Sequence, residues 1–200
     1  MLLNDETMTN LAPEVRDIFT QTIEKKGFVP NVLSIYGSRP ELLGGVSSIS
    51  GAFGAGLLTD AEREIVYLST SVANKCRYCV AGHTYYGLKA GLGTADIDRM
   101  RQAESSDNPR YEALREFSKT LTLSRGHSAT FAQEQFQAAG YTQSQTFDVI
   151  VGVAAKTLSN MTASLLNLPL DKAFEPYAWH PEQTAIRALG SEAEQSLRFF

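Results

Sequence analysis

The chain has 200 residues, with 18 lysines and arginines against 22 aspartates and glutamates, and a net charge of −4. Without a basic run or basic–aromatic alternation it offers no footprint for nucleic acid or for an anionic membrane surface. The most apolar run, Phe147 to Ala155, is interrupted by Asp148 and closed by Lys156, which is too short and too charged to cross a bilayer.

The opening MLLNDETMTN carries acids where a signal peptide needs positive charge. Two cysteines confined to one short motif suit chemistry in a reducing compartment. A cytoplasmic protein of one domain, residues 1–200, is the expectation. Ala12 to Lys26 reads as the first helix: Pro13 sits in its first turn, Val15, Ile18, Phe19 and Ile23 form an apolar face, and Gly27 stops it. Pro30 and Pro40 each open a short helix, and the glycine-rich GAFGAG at residues 51–56 reads as a turn.

Thr59 with Glu62 is a capping-box signature, and Leu68 and Val72 continue the helical period behind it. Glu62 reads as a first-turn acid facing water, favoured by the helix dipole. Asn74 and Lys75 break the pattern, and a second helix is predicted from near Cys76 to Ala90, with Gly91 as its stop. Thr94 to Ala103 is a short helix capped by Thr94 or Asp96, and Ser105 to Pro109 is the clearest linker. Tyr111 to Leu123 is amphipathic, with Leu114, Phe117 and Leu121 on one side. Ser128 to Ala139 is stopped at Gly140. Thr142 with Gln145 caps the last long helix, whose apolar character nearly all round places it at a bundle centre or an oligomer interface. The tail from Ala173 holds Trp179, Phe199 and Phe200, and so much aromatic surface is expected to pack on the body or on a neighbouring subunit. No strand alternation is visible, so the fold class is all-α.

The chemistry concentrates in residues 57–93. Cys76 and Cys79 form a C-x-x-C, His83 follows four residues later, and Glu64 precedes the first thiol by twelve. At helical spacing the two thiols and the imidazole share one face. A thiol in a first turn feels the positive end of the dipole, which favours thiolate. His83 can take a proton from Cys79, directly or through water, and Glu64 can orient the imidazole. Zinc would need a fourth ligand, and only His127 and His180, both read as surface residues, remain to supply one. GAFGAG follows no strand, so it is no phosphate loop, and no cofactor or metal is expected.

Glu62, Arg63, Glu64, Val66, Ser71, Asn74, Cys76, Tyr78, Cys79 and His83 stand at intervals that resemble the AhpD-like superfamily, which includes the alkylhydroperoxidases and the carboxymuconolactone decarboxylases. The resemblance covers roughly residues 28–171. It implies an orthogonal helical bundle, a homo-oligomer such as a trimer or hexamer, and a proton relay of Glu64 and His83 serving a Cys76–Cys79 redox pair. The leading reading is a hydroperoxide reductase or disulfide reductase, acting on a hydroperoxide or a partner disulfide; the resemblance implies a dithiol reductant, in the alkylhydroperoxidases a lipoyl-bearing protein. Tyr78 and Asn160 are candidate pocket residues, and Tyr85 and Tyr86 core or interface residues. Met161 and Ser164 stand where the family often has a further histidine close to Asn160. Two other readings stay open: an acid–base enzyme of the decarboxylase type, and a redox-responsive oligomer without turnover. His83 favours Cys79 as the attacking thiol, while exposure nearer the helix start could favour Cys76.

Overall fold

The computed structural model describes residues 11–182, in which nine α-helices and one 3-10 turn are joined by short loops, without a strand among the described residues. The helices are α1 (Pro13–Lys26), α2 (Asn31–Tyr36), α3 (Pro40–Gly54), α4 (Asp60–Ala73), α5 (Arg77–Lys89), α6 (Thr94–Arg101), α7 (Pro109–Ser124), α8 (Thr130–Ala138) and α9 (Gln143–Leu165). The 3-10 turn is Glu175–Tyr177. Helix α4 is the hub and packs against α5, α6, α7 and α9, while α9 also meets α2 and α3.

The chain signals explain most of the boundaries. Both capping boxes form, Thr59 with Glu62 and Thr142 with Gln145, each side chain satisfying the other residue's backbone N–H. Gly27 ends α1 in the left-handed region at φ 86°, where a side chain would be strained.

Several expectations are corrected by packing. GAFGAG turns only at its end: Gly51 to Gly54 complete α3, and the chain bends at Ala55 and Gly56. A helical glycine costs about 1 kcal/mol relative to alanine, but Phe53 between them is buried and its ring lies 4.8 Å from that of Tyr67. Tertiary contact outweighs the local preference. That contact depends on Gly152 of α9, where an added Cβ would come within 2.6 Å of the Phe53 ring and 2.9 Å of Val66. Gly152→Ala is therefore expected to lower stability by about 1–3 kcal/mol through overpacking. Urea unfolding should show a lower midpoint with unchanged slope.

Glu62 does not face water. It is 4% exposed, its carboxylate accepts from Thr59 N at 2.9 Å, and Arg110 Nε donates to it at 3.0 Å. Burial pushes its pKa up, but the hydrogen bonds from Thr59, Tyr141 and Arg110 outweigh that and hold it below the ordinary carboxyl value. Helix α6 carries neither predicted cap. Gly93 occupies the N-cap position, and Asp96 accepts instead from Ser106 Oγ at 2.7 Å. That bond, with Ser106 N donating to Glu112 at 2.8 Å, makes the predicted linker a pinned corner.

Helix α9 is covered on one side only. Val149, Gly152, Ala155, Asn160 and Ala163 are buried, whereas Phe147, Met161 and Leu165 are 60%, 65% and 85% exposed. The tail packs back as expected through Trp179, whose indole N–H donates to Arg101 O at 3.0 Å. Phe174 is buried among Phe28, Tyr78, Tyr85 and Tyr86. Phe199 and Phe200 lie outside the described residues. No helix among the described residues is long and apolar enough to cross a membrane.

Candidate active site

Between α4 and α5 the chain turns at Lys75, a non-glycine residue in the left-handed region at φ 54°. Cys76 N then donates to Ser71 O at 2.9 Å, and Cys76 becomes the N-cap residue of α5. Cys79 stands in the first turn, so both thiols lie where backbone N–H groups are unpaired. Both are buried and reduced.

The two sulfurs are not equivalent. The Cys79 S–H donates to Cys76, and Ser164 adds a second hydrogen bond, so the Cys76 thiol is pulled down to about 6 against the cost of burial. Cys79 is pushed well above the ordinary thiol value because it holds the shared proton and is itself buried. At neutral pH the negative charge rests on Cys76. Its iodoacetamide labelling rate should therefore rise through pH 6 and level off above it, since the thiolate exists only above the pKa. In Cys79→Ala, which removes the donor, the midpoint should move up toward about 8.5.

His83 is buried on α5, and Glu64 reaches it from α4 with Oε2 2.6 Å from Nδ1. Burial is the first cause that lowers the imidazole pKa to about 4; the Lys156 charge adds to it, and Glu64 opposes it. The ring is accordingly neutral at pH 7. With Nδ1–H donating to Glu64, Nε2 is left as the free base nitrogen. The structure shows no hydrogen bond between His83 and Cys79, so a proton passing between them needs a bridging water or the substrate itself.

The other predicted pocket residues are held by long-range bonds. Asn160 accepts from Asn74 Nδ2 at 2.9 Å and donates to Ser71 Oγ at 3.2 Å. The Tyr78 hydroxyl donates to the Asp171 carboxylate and accepts from Val32 N at 3.3 Å. Tyr78 is thereby fixed as a wall between two cavities. The larger, of about 810 Å³, meets Cys79, His83, Glu64, Tyr67 and Lys156. The smaller, of about 580 Å³, meets Cys76, Arg77, Ser164, Trp179 and His180.

Sequence reasoning passed over Lys156, Tyr67 and Asp171. Lys156 is 8% exposed, and its ammonium lies 4.5 Å over the Tyr67 ring, which in turn contacts His83 at 4.8 Å between centroids. One signal was available: a lysine four residues before Asn160 on an otherwise apolar helix shares its inward face. His180 is no plain surface residue, because its Nδ1 accepts from Arg77 at 2.9 Å beside the Cys76 cavity. His127 is exposed. Among the described residues no group of three or more His, Cys, Asp or Glu is arranged to hold a metal.

The model of the carboxymuconolactone decarboxylase family matches residues 41–119, which run from α3 into α7 and include Glu64, Cys76, Cys79 and His83. Solved structures agree over most of the chain. A peroxidase-related protein with the alkylhydroperoxidase AhpD core, from Ralstonia eutropha JMP134, superposes with a TM-score of 0.76 at 24% identity, covering 84% of this chain and 90% of that one. Residues 41–119 thus match the carboxymuconolactone decarboxylase family, and the fold of the chain is AhpD-like. A second peroxidase-related member of the fold, from Silicibacter sp. TM1040, gives a TM-score of 0.72 at 21% identity, covering 82% and 88% of the two chains. The debrominase Bmp8 shares the AhpD-like fold with a TM-score of 0.70 at 18% identity, covering 92% and 94%. A search of curated protein sequences finds no match.

Proposed function

We propose that the protein is a thiol-dependent hydroperoxide reductase that cycles through a Cys76–Cys79 disulfide. The observation that carries this reading is the pairing itself: two free thiols three residues apart at the start of α5, with a Glu64-held imidazole lining the same cavity as Cys79. Cys79 faces the larger cavity and attacks the distal oxygen of a hydroperoxide. The O–O bond breaks, the thiol proton travels through His83 to the departing alkoxide, and the products are an alcohol and a Cys79 sulfenic acid. The Cys76 thiolate then attacks the sulfenic sulfur. The disulfide forms and hydroxide leaves, to be protonated to water. A dithiol reductant restores both thiols and becomes a disulfide; its entry is the smaller cavity on the Cys76 side. A lipoyl-bearing protein is the reductant that the resemblance suggests, and a homo-oligomer closed over the uncovered face of α9 is the assembly.

Reduced protein mixed with one equivalent of cumene hydroperoxide should lose two hydrogens by intact mass within one turnover. Thiols that stay reduced for minutes would remove this reading. The match to a decarboxylase family favours acid–base chemistry as the alternative, and in that case the Cys76→Ser, Cys79→Ser double variant would keep full turnover. A redox-responsive oligomer would form the disulfide without catalytic consumption of peroxide.

A further inference from the structure

The larger cavity holds basic side chains that make no bond in the thiol chemistry. Lys156 is nine-tenths buried in its wall, with no carboxylate or hydrogen-bond partner and only the face of Tyr67 beneath its ammonium. A buried lysine is normally paired, because a desolvated ammonium is costly and its three N–H donors need acceptors. A cation–π contact offsets part of that cost but gives the N–H donors no acceptor. At the rim, the Lys26 ammonium lies 4.6 Å over the Tyr86 ring and likewise has no ion pair. Four basic side chains line the cavity, Lys25, Lys26, Arg63 and Lys156, against two carboxylates, Asp60 and Glu64. Both carboxylates are engaged, Asp60 by Arg63 and Glu64 by His83. A surplus of two positive charges thus sits in a cleft of a chain whose net charge is −4.

Lys156 lies one turn along α9 from Asn160, on the same inward face. Lys156 and Cys79 line the same cavity, so a group bound by the ammonium shares that space with the reacting sulfur. The remaining walls are mostly apolar or aromatic, with Val32, Leu33, Val46, Tyr36 and Phe53 among them beside Ser50 and Ser159. At about 810 Å³ the space far exceeds hydrogen peroxide and matches the range of organic-ligand sites.

We propose that Lys156, assisted by Lys26, forms a carboxylate subsite, so that the cavity selects compact organic molecules carrying both an apolar body and a carboxylate. On the function proposed above, these are carboxylate-bearing hydroperoxides. The role of Lys156 here is to position and select substrate.

The test separates binding from turnover. Reduced wild-type protein, Lys156→Met, Lys156→Arg and Lys26→Met are titrated calorimetrically with 4-isopropylbenzoate and with its neutral isostere 4-isopropylbenzamide. The wild type should bind the benzoate at least ten-fold more tightly. Lys156→Met should abolish the preference, Lys156→Arg should keep most of it, and Lys26→Met should weaken it a few-fold. Equal affinity for the two ligands in the wild type would overturn the proposal, as would a preference that survives in the Lys26→Met, Lys156→Met double variant. In parallel, cumene hydroperoxide and its 4-carboxy derivative are compared by kcat/KM. Their ratio cancels any general effect of the Lys156 charge on the thiols, and it should fall with the binding preference. A benzoate preference without thiol oxidation by either hydroperoxide would uphold the subsite and remove the peroxidase reading alone.

Discussion

Cys79→Ser is expected to abolish hydroperoxide consumption, lowering kcat/KM by at least about 10³-fold, the scale on which loss of a nucleophile is felt. Cys76→Ser should behave differently: it completes one attack and stops. Its product carries one added oxygen on Cys79, detectable by intact mass and trapped by a sulfenate-specific dione, and no disulfide forms. The assignment has to overcome a real electrostatic argument. The resting thiolate is Cys76, whose pKa is drawn to about 6 by the Cys79 S–H bond, while Cys79 holds its proton well above the ordinary range. Thiolate population alone would make Cys76 the attacker. Two facts favour the other order. The cavity that holds the imidazole and has room for an organic substrate opens on Cys79, whereas Cys76 opens on the smaller one. A thiolate of low pKa is also the poorer nucleophile per ion but is already ionised, which suits a resolving thiol that must act once a sulfenate appears beside it. Oxygen accumulating on Cys76 in the Cys79→Ser variant would reverse the order of attack.

Much of the fold could be read from local signals because local chemistry sets it. Thr59 with Glu62, Thr142 with Gln145, and the glycine stops at 27, 91 and 140 depend only on neighbours a few residues away, and all appear where the sequence places them. The meeting of Glu64 and His83 was also legible, since two helices joined by a short turn bring intervals of this kind face to face. What escaped was set by partners far along the chain. Glu62 looks like a surface acid until Arg110 arrives from α7, 48 residues later. GAFGAG looks like a turn until Phe53 is buried against Tyr67 and a gap at Gly152 admits it. Lys156 looks like a helix-surface charge until α4 lays Tyr67 under it. In each case the local propensity was real and a tertiary contact of larger energy overrode it.

His83→Ala should slow thiol oxidation by about 10²- to 10⁴-fold, the range in which a positioned base acts, and the pH profile distinguishes that role from a structural one. The imidazole pKa is depressed to about 4, so His83 is an available base throughout the neutral range and loses that form only below pH 4. The acid limb of the wild-type cycle is therefore set by Cys76: the resolving thiolate is present above pH 6 and lost as the pH falls through it. Between that limb and alkaline pH the wild-type rate of attack should be nearly flat, because His83 removes the Cys79 proton as attack proceeds. Without His83, ionisation of Cys79 must precede attack. Its raised pKa then makes the rate climb with pH beyond the ordinary thiol value of about 8.5, recovering part of the loss. Added imidazole, which fits the space vacated beside Tyr67, should restore rate at neutral pH. Glu64→Gln tests the orienting partner: its amide oxygen still accepts from Nδ1–H, so the loss should be nearer ten-fold, with no alkaline rescue. A His83→Ala enzyme with the wild-type pH profile and no response to imidazole would place the histidine in the packing of α4 against α5 and return proton transfer to the Cys76–Cys79 pair alone.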